Sequence, residues 1–296
     1  MSKLGLALSG GGALGSYEIG VWKALIEYGV DKRITSISGT SVGILNACLI
    51  IQNDYNKAYH IWVNEIENTI LSKHNFKRKF KNISYNGIFS REGLLNLIEK
   101  YVDISTVSNY AHSIYAAAVN LSKVDIEYFR LNGRKIEDII EIMMASSAVP
   151  FIFGREKIGK TNYIDGGVEI LNGKNLPLKP LYDEGCDQII AINLYQHSKV
   201  DKHPNCKVYE IIPTHNIGTF TNGGMDFSSK SAVMRIEEGY KDAINILKPI
   251  FIMSKIQNDT LKANYKMYKN ELENSYNKNI RKEKLNNAIK NIKLEE

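Results

Sequence analysis

The chain has 296 residues, of which 44% are hydrophobic and 24% charged, with 38 Lys and Arg against 32 Asp and Glu for a net charge of +6. These are globular values and exclude wholesale disorder; the length suits one or two domains with a real core. No run of about 18 apolar residues occurs, which excludes a spanning helix.

Leu4–Leu8 is a short apolar run ended by Ser9 and glycines, and it predicts a buried strand. Residues 17–29 place Val21, Leu25 and Tyr28 on one side before Gly29, which predicts an amphipathic helix. Ile34–Ser38 reads as a second strand and 43–52 as a buried helix. Strand, helix and strand within 40 residues form a βαβ unit with parallel strands. Residues 55–71 and 91–101 read as helices, the second capped by Ser90. Ile114–Asn120 and Ile126–Leu131 read as neighbouring strands, and 135–145 as a helix ending before Pro150. Asn162–Ile164 is a short strand running into Asp165-Gly166-Gly167, and 177–184 a short helix. Gln188–Leu194 and Lys207–Ile212 are strongly β-like, and 228–247 predicts a helix stopped by Pro249. The last ~40 residues read as an exposed helix or a partly disordered tail. Strands alternating with helices imply an α/β fold with a mostly parallel, covered sheet.

Three short motifs carry chemistry. Ser9-Gly10-Gly11-Gly12-Ala13-Leu14-Gly15 follows the first strand and opens the first helix. Glycines let N–H groups converge on one point, and the helix N-terminus adds partial positive charge. Such a loop can hold a phosphate or an oxyanion. Gly10, Gly12 and Gly15 also satisfy GxGxxG, but a dinucleotide site needs an acidic residue at the end of the second strand, and Asp31 precedes that strand. Gly39-Thr40-Ser41-Val42-Gly43 is GxSxG between a strand and a helix, the sharp turn that presents a nucleophilic serine. In a βαβ unit both loops leave the same sheet edge, so the glycine loop and Ser41 become neighbours.

A serine nucleophile needs a base. The six histidines are His60, His74, His112, His197, His203 and His215. A Ser–Asp–His set using Asp165 or Asp187 with His215 is formally open, although that hydrolase fold places its nucleophile after several strands. Asp165, at a strand end before Gly166-Gly167, is the better candidate, provided partial burial raises its basicity.

Taken together, these residues resemble the patatin-like phospholipase family. The matching blocks are Leu6–Leu25, Ile37–Gly43, and the stretch from Met144–Pro150 through Asp165-Gly166-Gly167 to Asn175-Leu176-Pro177 and Ile189–Leu194; Gly87-Ile88-Phe89 is also similar. The resemblance implies a three-layer α/β/α sandwich over 4–213, with 214–296 as a helical extension ending in a basic Lys/Asn-rich tail. It implies a phospholipase A or lysophospholipase-like hydrolase with a Ser–Asp dyad: Ser41 as nucleophile, Asp165 as base, and amides around Gly10, Gly11 and Gly12 as oxyanion hole. Gly39 and Gly43 would flank the nucleophile, Gly15, Gly166 and Gly167 would support it, and neither metal nor cofactor is implied. The chain departs from the family in two places. Leu14 stands where a basic residue is usual, and Leu171-Asn172-Gly173-Lys174 lengthens the stretch after the Asp-Gly-Gly turn. Leu14 motivates a second reading, a catalytically weak lipid-binding or scaffold protein of the same fold.

Charge and cysteines add a setting. Residues 255–296 hold ten Lys and Arg against six Asp and Glu, and Lys73, Lys77, Arg78, Lys79 and Lys81 interleave with Phe76 and Phe80. Both patches suit peripheral contact with an anionic membrane carrying the phospholipid substrate, rather than nucleic acid. Cys48, Cys186 and Cys206 are odd in number and far apart, and Met1-Ser2-Lys3 leads straight into a strand pattern rather than a signal peptide. The expected location is the cytoplasm.

Overall fold

The computed structural model of the chain describes residues 2–70, 91–150, 154–196, 200, 203–219 and 222–292. Two compact units result, Met1–Ile246 and Leu247–Glu296. The Ser90 cap, Gly87-Ile88-Phe89 and the Lys/Phe cluster of 73–81 lie outside the described residues.

Among the described residues the first unit holds an eight-stranded sheet: β1 Leu4–Leu8, β2 Ile34–Thr40, β3 Ser113–Asn120, β4 Asp125–Arg130, β5 Glu156–Ile158, β6 Thr161–Asp165, β7 Gln188–Ile192 and β8 Lys207–Ile211. The order is β5-β6-β3-β2-β1-β7-β8, with β4 also on β3. The run β3-β2-β1-β7-β8 is parallel, whereas β4, β5 and β6 pair antiparallel. The central strands are buried on both faces because helices cover both, and β1 and β7 are accordingly rich in apolar residues.

Helices α1 (Ser16–Glu27) and α2 (Val42–Ile51) lie on one face, α2 packing on β1, β2 and β3. Successive strand residues point to opposite faces. Gly39 faces α2, and Ser38 accordingly points the other way, its Oγ donating to the Pro177 carbonyl at 2.6 Å. That second face is covered by the segment running into α8 (Lys179–Asp183), where Leu178, Leu181 and Cys186 pack on Ala7, Ile189 and Ala191. The three-layer α/β/α sandwich is thus present, with Leu6, Leu8, Ile37 and Ile114 at most 1% exposed at its centre.

Further helices flank this frame. They are α3 (Tyr55–His60), joined through a π turn at Ile61–Glu65 to α4 (Ile66–Ile70), then α5 (Arg91–Tyr101), α6 (Ile104–Ser108) and α7 (Ile136–Ser146). The last helix, α9, spans Ser229–Ile292. It passes through Pro249, which corrects the expectation that this proline stops it. A proline removes one backbone donor and crowds the preceding turn, which weakens a helix without obliging it to end. The compact first unit ends at Ile246, within one turn of that proline. Among the described residues no helix is long and apolar enough to cross a membrane.

Candidate active site

Ser41 is the single residue between β2 and α2, with φ 55° and ψ −124°. A non-glycine residue there is strained, as a sharp nucleophile turn requires. The turn closes only because its flanks lack side chains: a Cβ on Gly39 would lie 2.4 Å from the Ile44 nitrogen, and one on Gly43 2.4 Å from the Leu8 oxygen. The Ser41 N–H donates to Ser146 Oγ at 3.0 Å, anchoring the turn to the end of α7.

The sheet itself brings Asp165 to Ser41. β2 ends with Thr40 opposite Ala117, and β6 ends with Asp165 opposite Ala118. β4 occupies the other edge of β3 over Tyr115–Asn120, so β2 and β6 share one edge and meet head to head. The residue after Thr40 is Ser41. Asp165 is 5% exposed, and its Oδ1 accepts the Gly167 N–H at 2.8 Å. Oδ2 is buried without a fully formed hydrogen bond. Burial pushes the Asp165 pKa up to about 6, opposed by the Ser41 hydroxyl and the Gly167 N–H. A carboxylate so placed is a stronger base than an exposed one.

The glycine loop lies beside both. A Cβ on Gly10 would stand 3.2 Å from the Ser41 Cβ. The Gly10 N–H donates to the Asn175 carbonyl at 3.2 Å, and the Ala13 N–H to the Gly224 carbonyl at 2.8 Å. Gly11 and Gly12 lie between these anchored ends. Gly12, at φ +59°, tolerates the Gly224 carbonyl 2.4 Å from where a Cβ would sit. Gly15 packs on Val42, and Gly166 lies against the Ala117 carbonyl.

Two cavities meet at Ser41. One is the more polar of the two, with about 1020 Å³ of empty space including its mouth, and carries the polar groups of Asp165, Asn175, Glu169 and Tyr195 beside Gly10, Gly11 and Ser41. The other has about 840 Å³ of empty space, likewise including its mouth, and is almost wholly apolar, with Leu45, Leu49, Trp62, Leu94, Ile98 and Phe227 among its walls. The π turn brings Ile61 and Trp62 into this cavity, and the Trp62 Nε1–H donates to Asn46 Oδ1 at 2.9 Å. Asn46 in turn donates to Glu18 Oε2 at 2.7 Å. Glu18 is fully buried, which raises its pKa well above the ordinary carboxylate value.

Among the described residues no histidine lines either cavity. His215 pairs with Glu238, His203 stacks on Tyr182 and His60 meets Glu65. His74 and His197 lie outside the described residues. Asp187 precedes β7, at the opposite sheet end from Ser41, where its carboxylate accepts the Ser2 hydroxyl and the Lys3 N–H.

Two residues here escaped sequence reasoning in this role. Asn175 returns its Nδ2–H to the Gly10 carbonyl at 3.1 Å and thereby ties the glycine loop to the chain after Asp-Gly-Gly. Its place just before Leu176-Pro177 was the available signal. Arg235, from α9, is 5% exposed and donates to the carbonyls of Ala13 at 3.3 Å, Asp226 at 2.9 Å and Gly223 at 3.0 Å. It brings a cation to the loop in which Leu14 is fully buried. No local motif marks it, since 222 residues separate it from Ala13.

Comparison with known proteins places the chain in a family. A family model described as Patatin, patatin-like phospholipase, matches residues 6–182. A probable lipid hydrolase, 463L, of Invertebrate iridescent virus 6 is 25% identical over 175 residues, which cover 55% of this chain and 59% of that protein. The match therefore spans less than two thirds of the viral relative. The crystal structure of VipD from Legionella pneumophila superimposes with a TM-score of 0.50 at 12% identity, over 84% of this chain and 67% of that one. That likeness is one of fold.

Proposed function

The chain belongs to the patatin-like phospholipase family, and from that premise we propose that it hydrolyses acyl esters of phospholipids or related lipids through Ser41, with Asp165 as base. The observation that carries this reading is the position of Ser41 where an almost wholly apolar cavity joins one that holds the polar groups of Asp165, Glu169, Asn175 and Tyr195. A lipid ester has the same division: an acyl chain on one side of the carbonyl, a polar alcohol on the other. The apolar cavity takes the chain, the polar cavity takes the glycerol or headgroup, and the carbonyl lies at Ser41.

Ser41 Oγ attacks the carbonyl carbon while Asp165 accepts the hydroxyl proton. The N–H groups of Gly11 and Gly12 receive the oxyanion, with Gly10 holding the loop in shape through Asn175. The carbon–oxygen bond to the alcohol then breaks, and that alcohol leaves with the proton from Asp165. Water attacks the acyl-enzyme, giving its proton to Asp165, and Ser41 Oγ regains a proton as the fatty acid departs. The second reading, a catalytically weak lipid binder, rested on Leu14. Arg235 supports the enzyme instead, because a buried guanidinium already serves that loop.

The test is release of free fatty acid from phospholipid and lysophospholipid vesicles by the full chain and by Ser41→Ala. Release by the first and not by the second supports the proposal. Equal release by both overturns it.

A further inference from the structure

The stretch after Asp165-Gly166-Gly167 forms a 3-10 turn at Glu169–Leu171. Val168 and Glu169 line the polar cavity with Ser41 and Asp165, so this turn is part of the cavity rim. Ile170, at its centre, is 91% exposed, the highest value among the exposed large hydrophobic residues of the described chain. Beside it lies the tip of the β3–β4 hairpin. Asn172, itself left-handed at φ 60°, donates from Nδ2 to the Val124 carbonyl at 2.9 Å and joins the two tips. Val124 is 45% exposed and sits at φ 52°. A β-branched residue is disfavoured there, and the burial of its side chain gives no compensation.

We infer that Ile170 and Val124 form an apolar foot that seats the mouth of the active site on a lipid surface. The inference rests on the reading of the site as a lipid hydrolase, since the foot stands beside the cavity assigned to the lipid's polar part. Two small aliphatic side chains on adjoining turns make no groove and no broad patch. A specific protein partner needs roughly 800 Å² of complementary surface on each side. A bilayer accepts exposed aliphatic groups without shape matching, by the hydrophobic effect alone. The charges at these tips select the kind of surface. Lys123 and Lys174 are outnumbered by Asp125, Glu127 and Glu169, and Lys123 is paired with Glu127 at 2.6 Å. The foot therefore suits a zwitterionic surface such as phosphatidylcholine, entered by apolar contact rather than charge.

The experiment uses the full chain, phosphatidylcholine vesicles and two variants of the foot. In flotation assays Ile170→Gln with Val124→Asn should lower vesicle partitioning at least fivefold, while kcat/KM on a water-soluble short-chain ester stays within twofold. Ile170→Trp should shift its fluorescence to the blue on vesicle addition, in high salt as in low, once the signal of the wild-type chain, from the buried Trp22 and Trp62, is subtracted. Wild-type partitioning by the double variant, or an unshifted Ile170→Trp spectrum, overturns the inference. The tryptophan variant decides the matter should the double variant misfold. A blue shift without hydrolysis of any ester would retain the foot and remove the hydrolase reading. Ester hydrolysis with no shift would do the reverse.

Discussion

Asn175 and Gly10 exchange two hydrogen bonds: the Gly10 N–H reaches the Asn175 carbonyl at 3.2 Å, and the Asn175 side-chain amide reaches the Gly10 carbonyl at 3.1 Å. The pair fixes the glycine loop against the segment that follows the Asp165 turn. The loop's remaining amides depend on this tie for their aim.

Asn175→Ala should therefore lower kcat about tenfold to a hundredfold, with a smaller change in KM, because the misaligned donors serve the transition state more than the bound ester. Asn175→Asp should be worse. It loses the same donor and adds a carboxylate near Asp165, which raises the pKa of Asp165 further. Steady-state kinetics across pH checks both: the acid limb of kcat/KM should move upward in Asn175→Asp and stay in place in Asn175→Ala.

Asp165 gives the pH dependence of the wild type. Only its carboxylate form can accept the Ser41 proton, and burial pushes its pKa up to about 6. The value of kcat/KM should therefore rise through pH ~6 and level off above it. Its effect on stability runs the other way. The folded-state pKa lies above the ordinary 3.8, so the stability tied to this group is fully present below pH ~4 and is lost as pH rises through about 6. Asp165→Asn should accordingly lose at least about a hundredfold in kcat, yet unfold at higher denaturant above pH 7, gaining about 3 kcal/mol at 1.36 kcal/mol per pKa unit. Urea titrations at pH 4 and pH 8 check this: the gain should nearly vanish at the lower pH.

The parts legible in the sequence are those in which a backbone demand leaves a residue signature. Gly39 and Gly43 mark the Ser41 turn because no Cβ fits there. The apolar run Leu4–Leu8 marks a doubly covered strand. Asp165-Gly166-Gly167 was legible as a turn, but its nearness to Ser41 rests on β2 and β6 ending at adjacent residues of β3, a register that no local pattern encodes. β5, three residues at the sheet edge, is too short to carry periodicity. Pro249 misled because the rule for prolines concerns one missing bond, and a long helix can absorb that loss.

Arg235 is expected to hold the back of the glycine loop. Its guanidinium joins Ala13 to the segment carrying Asp226 and Gly223, next to the cavity walls Met225 and Phe227. Arg235→Met removes the guanidinium bonds to three carbonyls, of which those of Ala13 and Gly223 keep other donors, and should cost about 1–3 kcal/mol of stability. Among molecules that remain folded, kcat should still fall about tenfold or more. Arg235→Lys, which keeps the charge and some of the bonds, should recover part of both. Denaturation curves beside active-site-titrated kinetics separate the two effects.

On the proposed reading the apolar cavity sets acyl-chain preference. Leu45 lines it and is only half-buried, so a larger side chain can be accommodated there without disrupting the sheet. Leu45→Trp should lower kcat/KM for a long-chain p-nitrophenyl ester at least about tenfold relative to the butyrate ester, since each buried methylene excluded removes about 0.8 kcal/mol. A chain-length series from butyrate to palmitate checks the prediction.

The central claim is that Ser41 is the nucleophile activated by Asp165. A fluorophosphonate probe tests it most directly, because it bonds only to an activated serine oxygen, and mass spectrometry then finds the modified residue. Stoichiometric labelling on Ser41 is expected in the wild type, much slower labelling in Asp165→Asn, and none in a folded Ser41→Ala. Labelling of another residue, or undiminished labelling of folded Ser41→Ala, would contradict the account.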